Sequence, residues 1–137
     1  MNKPIIYLAG NMTPSPESYN KWTKNIEDSL KYKFRCTASH FKSGNNFIVQ
    51  QDLGRLKNAH ILIVNLGVSD ISNHLTGLVV ECYEAFKQNK PVYAFVSNDL
   101  IRSNQADSPW IQSFITHEFN SQSEMINYLI NDDNLIV

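Results

Sequence analysis

Residues 61–66 read I-L-I-V-N-L, and residues 76–85 read T-G-L-V-V-E-C-Y-E-A. The first run is almost continuously apolar, which is typical of a strand buried on both faces of a parallel sheet. The second run predicts a helix and places Glu81 in what should be its first turn. An acidic side chain there is explained either by the positive end of the helix dipole or by catalysis at the mouth of a cleft.

The same alternation of strand and helix patterns extends in both directions. Further strands are predicted at Ile5–Ala9, Phe34–Ala38, Pro91–Val96 and Phe114–Phe119. Further helices are predicted from Pro16 (with Ser15 as N-cap) through Leu30, over Phe47–Asn58 and over Ser121–Ile130, while the Glu81 helix should end near Asn89. A polar loop, long enough to be functional or mobile, is predicted over Ser97–Asp107. The order predicts a three-layer α/β fold, with a five-stranded, mostly parallel sheet and helices on both faces.

Composition narrows the class of protein. The chain has 137 residues, with 42% hydrophobic and 18% charged, and its net charge of -1 comes from 12 basic and 13 acidic residues. We expect a single domain over residues 1–137, with neither nucleic acid nor membrane as a partner. Cys36 and Cys82 are expected to be free thiols in a reducing compartment. The start of the chain does not resemble a signal peptide, so a cytoplasmic location is expected.

In a sheet of this kind the ligand site lies beyond the carboxyl ends of the strands. The loops after the first three strands should therefore converge there, together with the start of the Glu81 helix. This reasoning places Asn11, His40, Asp52 and Glu81 near one cleft.

Local motifs exclude several kinds of chemistry. Neither standard phosphate-binding glycine loop occurs, and the four histidines show no spacing typical of metal ligands, so neither a cofactor nor a metal is expected. The remaining candidates are the carboxylates of Asp52 and Glu81, because paired carboxylates are the usual groups for cleaving a glycosidic bond. The hydroxyl of Tyr7 would need a hydrogen-bond partner if buried, and a carboxylate in the cleft could provide one.

Three segments taken together resemble the nucleoside 2-deoxyribosyltransferase family and the related 2′-deoxynucleoside 5′-monophosphate N-glycosidases. I-I-Y-L-A-G-N is similar to the family's first strand and loop. Q-Q-D-L-G-R-L-K-N-A-H-I-L-I-V-N-L resembles its acidic helix and third strand. T-G-L-V-V-E-C-Y-E-A-F-K-Q-N-K-P-V-Y-A-F resembles its glutamate block. The likeness covers most of residues 5–96.

The resemblance implies a role for each matching residue. Glu81, four positions after Gly77, would attack C1′ of the deoxyribose and form a covalent intermediate. Asp52 would help to protonate the departing base, and Tyr7 would hydrogen-bond the glutamate. Gly10 and Asn11 lie in the matching first loop, and His40 resembles a histidine in the second loop of the hydrolases.

The family's residue for the 5′ end of the sugar is not matched. Six positions before the glutamate, transferases have Asp and the monophosphate hydrolases have Ser, but this chain has Leu75. A shifted loop would allow Asn73 or His74 to replace it. The segment D-S-P-W-I-Q resembles the one through which a neighbouring subunit completes the site, and Ser108 matches the serine of the hydrolases there. Tyr83 replaces a glycine found two residues after the glutamate.

The resemblance implies a deoxyribosyltransferase that exchanges the bases of 2′-deoxynucleosides. One alternative is hydrolysis of a 2′-deoxynucleoside 5′-monophosphate, and another is a non-catalytic module that binds or senses nucleotides. A homo-oligomer with a shared active site is expected, because the family borrows residues across an interface.

Overall fold

The protein is described here from a computed structural model, which covers residues 2–11, 16–38, 45–70 and 74–132. Its main sheet has five parallel strands in the order β2-β1-β3-β5-β7. These strands are β1 (Ile5–Ala9), β2 (Arg35–Ala38), β3 (Ile61–Asn65), β5 (Val92–Phe95) and β7 (His117–Glu118). The helices are α1 (Pro16–Leu30), α2 (Asn45–Asn58), α3 (Thr76–Lys87), α4 (Pro109–Gln112) and α5 (Gln122–Asn131).

The predicted α/β fold class is confirmed by this arrangement. Alternating side chains of β1 enter two separate cores, as the period of an extended strand requires. Ile6 and Leu8 join a core built with α1 and α5, whereas Tyr7 and Ala9 join a core built with α2, α3 and α4. All five residues of β3 are buried, which explains why that strand reads as an uninterrupted apolar run.

The helices form where the apolar spacing predicts them. Trp22, Ile26 and Leu30 are buried at four-residue intervals along α1, so one face of this helix covers the sheet. The hydroxyl of Ser121 accepts a hydrogen bond from the backbone N–H of Glu124 at 3.0 Å and caps α5. Tyr128 on α5 is 40% exposed, and its ring contacts those of Tyr93 and Phe119.

The segment from residue 97 to 107 is more regular than the predicted loop. It contains β6 (Ile101–Arg102), which pairs in antiparallel fashion with β4 (Gly67–Val68), and a short 3-10 helix at Asn104–Asp107. Arg102 forms ion pairs with Asp107 at 2.7 Å and with Glu118 at 2.8 Å, which tie the segment to β7. Two-residue strands carry too little periodicity to be read from sequence.

The fifth strand was also predicted too long. Within the predicted Phe114–Phe119 strand, only His117 and Glu118 pair with β5. The preceding residues form α4 and a turn, in which Pro109 occupies the first helical position. The other predicted strands and helices agree with the structure to within about two residues, which is the usual uncertainty of such boundaries.

The strand order fixes where a ligand site is expected. The chain adds β2 on one side of β1 and then crosses to the other side for β3, so the topology reverses between β1 and β3. Ligands of open α/β sheets bind beyond the carboxyl ends of the strands at such a point. Within the described ranges, no helix is both long and apolar enough to span a bilayer.

Candidate active site

Tyr7 reaches the candidate site from the middle of β1. The alternation of side chains along this strand directs Tyr7 to the side of the sheet that α2 and α3 cover. The side chain is fully buried, and its hydroxyl has no hydrogen-bond partner of ordinary geometry among the described residues. A buried phenol without a partner is costly, so its presence needs an explanation.

Glu81 faces Tyr7 from α3. The helix begins at Thr76, so Glu81 lies in its second turn, and the first turn contains no acidic residue. The prediction of a first-turn position is therefore wrong. The helix-dipole explanation weakens with it, because that interaction fades beyond the first turn. What remains is a carboxylate whose Oε2 is buried and, among the described residues, has no hydrogen-bond partner.

The electrostatics of Glu81 are dominated by its surroundings. Burial raises the pKa of its carboxyl to about 7, interaction with the Tyr7 hydroxyl opposes this rise, and the negative charge of Asp52 adds to it. Burial and the neighbouring Glu81 likewise raise the pKa of Tyr7 far above its usual value, so the phenol keeps its proton. The hydroxyl thus faces the carboxylate as a proton-bearing group, and Glu81 can exist in either protonation state near neutral pH.

Asp52 lies on α2, near enough to Tyr7 and Glu81 for its charge to affect both pKa values. Its side chain is 15% exposed and forms an ion pair with Arg55, one turn further along the helix, at 3.0 Å. The structure therefore brings together Tyr7, Asp52 and Glu81, which come from three separate elements. A carboxyl group whose pKa is strongly raised, as that of Glu81 is, is a common feature of catalytic sites.

Gly10 and Asn11 follow β1 at the carboxyl edge of the sheet. A Cβ atom at Gly10 would lie 2.6 Å from Cζ2 of Trp22 and 3.4 Å from Cβ of Asn65. The close packing of Trp22 accounts for the glycine without a ligand, so contact with a substrate at Gly10 stays a prediction. Asn11 is partly exposed next to it.

Gly77 differs from Gly10 in its surroundings. It is exposed in the first turn of α3, and among the described residues no atom outside its own helix and chain neighbours lies within 4 Å of the position that a Cβ would occupy. Residues four apart share a helix face, and side chains lean toward the N-terminus of a helix. Gly77 therefore leaves open space on the face from which Glu81 projects.

The start of α3 is held by a residue that sequence reasoning missed. The backbone N–H of Leu75 donates to Oε1 of Gln105 at 2.6 Å, and Nε2 of Gln105 lies 3.2 Å from Nδ1 of His74. Leu75 itself is only 2% exposed and packs in the core beneath α3. His74 is exposed to solvent. The side chain of Leu75 thus points away from solvent, while that of its neighbour His74 points toward it.

Two other predicted residues are not placed with these groups. Ser108 is the partly exposed residue that precedes α4, and its hydroxyl does not cap that helix. Its role toward a neighbouring subunit stays a prediction. His40 lies outside the described residues.

A second missed residue organises the carboxyl ends of the strands. Asn65 is completely buried at the end of β3, where its side-chain oxygen accepts from the backbone N–H of Gly67 at 2.9 Å and its amide nitrogen donates to Ser97 at 3.0 Å. It therefore links β3 to Ser97, the second residue after the end of β5. Asn65 is the one polar residue of an otherwise apolar strand, and this was the signal from which the sequence could have predicted its role. In the described part of the chain, no three His, Cys, Asp or Glu side chains are grouped to hold a metal ion.

Comparison with solved structures shows which proteins share this fold. A 2-deoxyribosyltransferase from Leishmania mexicana superposes with a TM-score of 0.58 at 16% identity, over 68% of this chain and 64% of that protein. DNA processing protein A from Helicobacter pylori, described as binding single-stranded DNA, also superposes with a TM-score of 0.58. Its sequence is 14% identical, and the superposition covers 96% of this chain and 82% of that protein.

Sequence comparison adds no closer relative. No protein-family model matches the chain, and no curated protein sequence matches it. At identities below 25%, structural similarity establishes only the fold, so the activity has to be inferred from the chemistry of the site. The chain therefore has an α/β fold that it shares with a deoxyribosyltransferase.

Proposed function

We propose that this protein is a nucleoside 2-deoxyribosyltransferase-like enzyme that cleaves the N-glycosidic bond of 2′-deoxynucleosides and transfers the deoxyribosyl group to another base. One observation carries the proposal: the buried Oε2 of Glu81 has no hydrogen-bond partner in the part of the chain that the structure describes, and the Glu81 carboxyl faces Tyr7 near Asp52 with its pKa raised to about 7. A buried carboxylate is poorly stabilised by its surroundings, and a bond to an electron-poor carbon removes its charge.

The reaction proceeds in two displacements. Glu81 attacks C1′, the bond from C1′ to the base nitrogen breaks, and its electron pair leaves on the base, which takes up a proton. The nitrogen of a second base then attacks C1′, displaces Glu81 as a carboxylate and loses its own proton. Retention of configuration follows from the two inversions. Electrons and protons balance without a cofactor.

Tyr7 and Asp52 have supporting roles in the proposed reaction. The Tyr7 hydroxyl lowers the pKa of Glu81 and so supports the carboxylate form that attacks. Asp52 raises the pKa of Glu81. In the proposed reaction Asp52 stabilises the positive charge that develops at C1′ and assists the proton transfer to the departing base. Its ion pair with Arg55 fixes the carboxylate on α2. A sugar without a 2′-hydroxyl reaches the oxocarbenium-like state more easily, which favours deoxy substrates.

A second candidate is hydrolysis of 2′-deoxynucleoside 5′-monophosphates by the same glutamate. The observation in its favour is that Leu75, which occupies the position of the transferases' acidic residue, is buried in the core. No carboxylate therefore receives the 5′-hydroxyl of a nucleoside at that position. Water would replace the second base as the group that attacks the intermediate.

A turnover assay distinguishes these reactions. The protein is incubated with each common 2′-deoxynucleoside and each 5′-monophosphate, with and without an acceptor base, and the products are separated by chromatography. We expect base exchange that needs the acceptor. Release of free base from monophosphates alone would establish the second candidate instead. If no substrate is cleaved, a non-catalytic nucleotide-binding module replaces both.

The proposed assembly is a homo-oligomer whose subunits meet at the outer α3–α4 face, which comprises Val80, Tyr83, Phe86 and Trp110. These side chains are 47%, 46%, 54% and 71% exposed, although all are large and apolar. The ring of Phe114 contacts those of Tyr83 and Phe86, so the face is continuous between the two helices. Exposed apolar surfaces of this kind commonly bind another protein surface, and Ser108 lies at the start of α4 beside it.

Phe86→Glu is expected to dissociate the oligomer, because it places a charge within the outer α3–α4 face. The mass in solution is measured by size-exclusion chromatography with light scattering at micromolar concentration. Tyr32→Glu is the matched control, since Tyr32 is 85% exposed just after α1 and outside this face. A wild-type monomer, or a Phe86→Glu variant with unchanged mass, would contradict the proposed interface.

A further inference from the structure

A cleft of about 740 Å³ lies at the amino ends of the neighbouring strands β2, β1 and β3. Its polar and charged side chains are those of Asn2, Lys3, Glu27, Lys31, Arg35 and His60. The cleft is separate from the candidate active site, because α1 forms part of its wall, whereas Tyr7 faces the side of the sheet that α2 and α3 cover. Sites for small molecules usually have volumes of roughly 300–1,000 Å³.

The cleft is positively charged, although the chain as a whole is slightly negative. Three of its ten lining residues are basic and one is acidic, whereas the chain has 12 basic and 13 acidic residues. Burial, and to a smaller extent the charge of Glu27, raises the pKa of the Cys36 thiol to about 12, so this thiol adds no negative charge near neutral pH. The cleft therefore attracts anions.

The two lysines of the cleft also serve the fold. Lys31 follows the last residue of α1, where a positive charge stabilises the end of the helix. The ammonium group of Lys3 donates to the backbone carbonyl of Lys31 at 2.6 Å, which ties the residues before β1 to the end of α1. These interactions explain the positions of both lysines without a ligand.

Arg35 has no explanation of this kind. It is the first residue of β2, and its backbone N–H donates to the carbonyl of Pro4 at 2.9 Å. Its side chain is exposed, and across residues 2–11, 16–38, 45–70 and 74–132 it forms no ion pair, not even with Glu27 in the same cleft. The five N–H donors of the guanidinium are therefore available to a ligand.

His60 adds an N–H donor to the same cleft. The backbone N–H of Ile5 donates to Nδ1 of His60 at 2.9 Å. A backbone N–H only donates, so Nδ1 is the acceptor and the proton of the neutral ring lies on Nε2. The backbone N–H of His60 donates in turn to the carbonyl of Ile5 at 2.8 Å, so two hydrogen bonds hold the residue beside β1. The ring therefore lines the cleft with Nε2–H as its donor.

We propose that this cleft binds a small phosphate ester, with Arg35 as the main contact of the phosphate group and with Lys31 and His60 as further donors. A guanidinium group matches two oxygens of a phosphate in a bidentate arrangement. A phosphate monoester has three acceptor oxygens, so it can bind donors from several elements at once. The cleft is much larger than a phosphate ion, and Glu27 can accept a hydrogen bond from a hydroxyl group. The ligand class is accordingly that of the sugar phosphates.

Binding is measured by titrating the full chain and following its backbone amide resonances by nitrogen-15 NMR. The probes are glucose 6-phosphate, inorganic phosphate and glucose. We expect glucose 6-phosphate to bind with a dissociation constant below about 1 mM, inorganic phosphate to bind more weakly because it fills less of the cleft, and glucose not to bind. The amides that shift should be those at the amino ends of the strands, such as Ile5, Cys36 and Ile61.

Three outcomes of this titration overturn the proposal. The first is the absence of a saturable shift with glucose 6-phosphate. The second is a shift confined to residues at the carboxyl edge of the sheet, such as Asn11 and Leu75. The third is inorganic phosphate that binds as tightly as the ester, because the site would then recognise the ion alone.

Two variants of the cleft should change the affinity in opposite directions. Arg35→Gln should weaken the binding of glucose 6-phosphate by about tenfold or more, because hydrogen bonds between charged groups are strong. Glu27→Gln should tighten it by about twofold or more, because it removes the one negative charge of the cleft. Lys24→Gln is the matched control, since it removes a positive charge from an exposed residue of α1 outside the cleft. Unchanged binding in Arg35→Gln, or weaker binding in Glu27→Gln, would contradict the proposal.

This proposal does not depend on the proposed reaction. Arg35 is not among the proposed catalytic groups, so Arg35→Gln should cleave deoxynucleosides as the wild-type protein does. If glucose 6-phosphate binds through Arg35 but no deoxynucleoside or deoxynucleotide is cleaved, the phosphate site stands and the catalytic proposal fails. If turnover is observed but the ester does not bind, only the proposal about the cleft fails.

Discussion

Replacing Glu81 with glutamine is expected to abolish turnover and, at neutral pH, to make the protein more stable. Glutamine has nearly the same shape but cannot attack C1′, so the rate should fall at least about a thousandfold. Stability should rise because the variant no longer holds an ionisable carboxyl whose Oε2 is buried without a hydrogen-bond partner among the residues that the structure describes. Residues that serve chemistry commonly cost stability in this way.

The gain in stability should depend on pH. In the unfolded chain the carboxyl titrates near ~4.3, whereas burial raises its pKa in the folded protein to about 7. Between these values the folded state keeps a proton that the unfolded state has released, so the free energy of unfolding of the wild-type protein falls as pH rises. Well above pH 7 the loss is complete and amounts to roughly 4 kcal/mol. Glu81→Gln should lack this decline.

Chemical denaturation of both proteins at pH 5 and pH 8 measures the difference. Glu84→Gln is the matched control, because Glu84 lies on the same helix but forms an ion pair with Lys87 at 3.1 Å at the surface. This control should retain full activity and show little change in stability. A Glu81→Gln variant that stays active, or that is less stable than the wild-type protein at pH 8, would indicate that Glu81 has a structural role.

The fold could be predicted from sequence because its central elements are simple. Residues Ile61–Asn65 are buried on both faces, so no polar residue interrupts the run until Asn65 itself. The short elements, β4, β6 and α4, could not be predicted. Each contains four residues or fewer, and their positions depend on contacts such as the Arg102–Glu118 ion pair that join distant parts of the chain.

The candidate site was predictable in part for the same reason. Tyr7, Asp52 and Glu81 lie on elements whose type and order the sequence reveals, so their convergence follows from the topology. The turn that carries Glu81 was predicted wrongly, because a helix that begins at Thr76 places Glu81 in its second turn and not in its first. Gln105 gave no signal at all, because its partners are a backbone N–H and a side chain thirty residues away.

Tyr7→Phe and Asp52→Asn are expected to shift the pH dependence of activity in opposite directions. In the proposed mechanism the attacking group is the Glu81 carboxylate, so kcat/KM should rise with pH through a midpoint at about 7. The Tyr7 hydroxyl lowers the pKa of Glu81, and its removal should move the midpoint to higher pH. Asp52 raises that pKa through its charge, so its neutralisation should move the midpoint to lower pH.

The two variants should also differ in rate and stability. Asp52→Asn should lower the maximal rate by about a hundredfold or more, because it removes a group that assists proton transfer. Tyr7→Phe should lower the rate less and, at pH 5, where Glu81 is protonated, should leave the protein at least as stable, because the lost hydroxyl is buried without a hydrogen-bond partner of ordinary geometry among the described residues. Denaturation curves at one pH provide this comparison.

The direction of the shifts is the decisive measurement. A general loss of structure would lower the rate of either variant but would not move the two midpoints apart. Lys57→Gln changes a surface charge near the end of α2 and should leave the midpoint in place. If both site variants shift the midpoint in the same direction, or neither shifts it, the titration in the rate profile does not belong to Glu81. The attacking group would then have to be another residue, because the charge of Asp52 and the hydroxyl of Tyr7 act on the pKa of Glu81 with opposite sign.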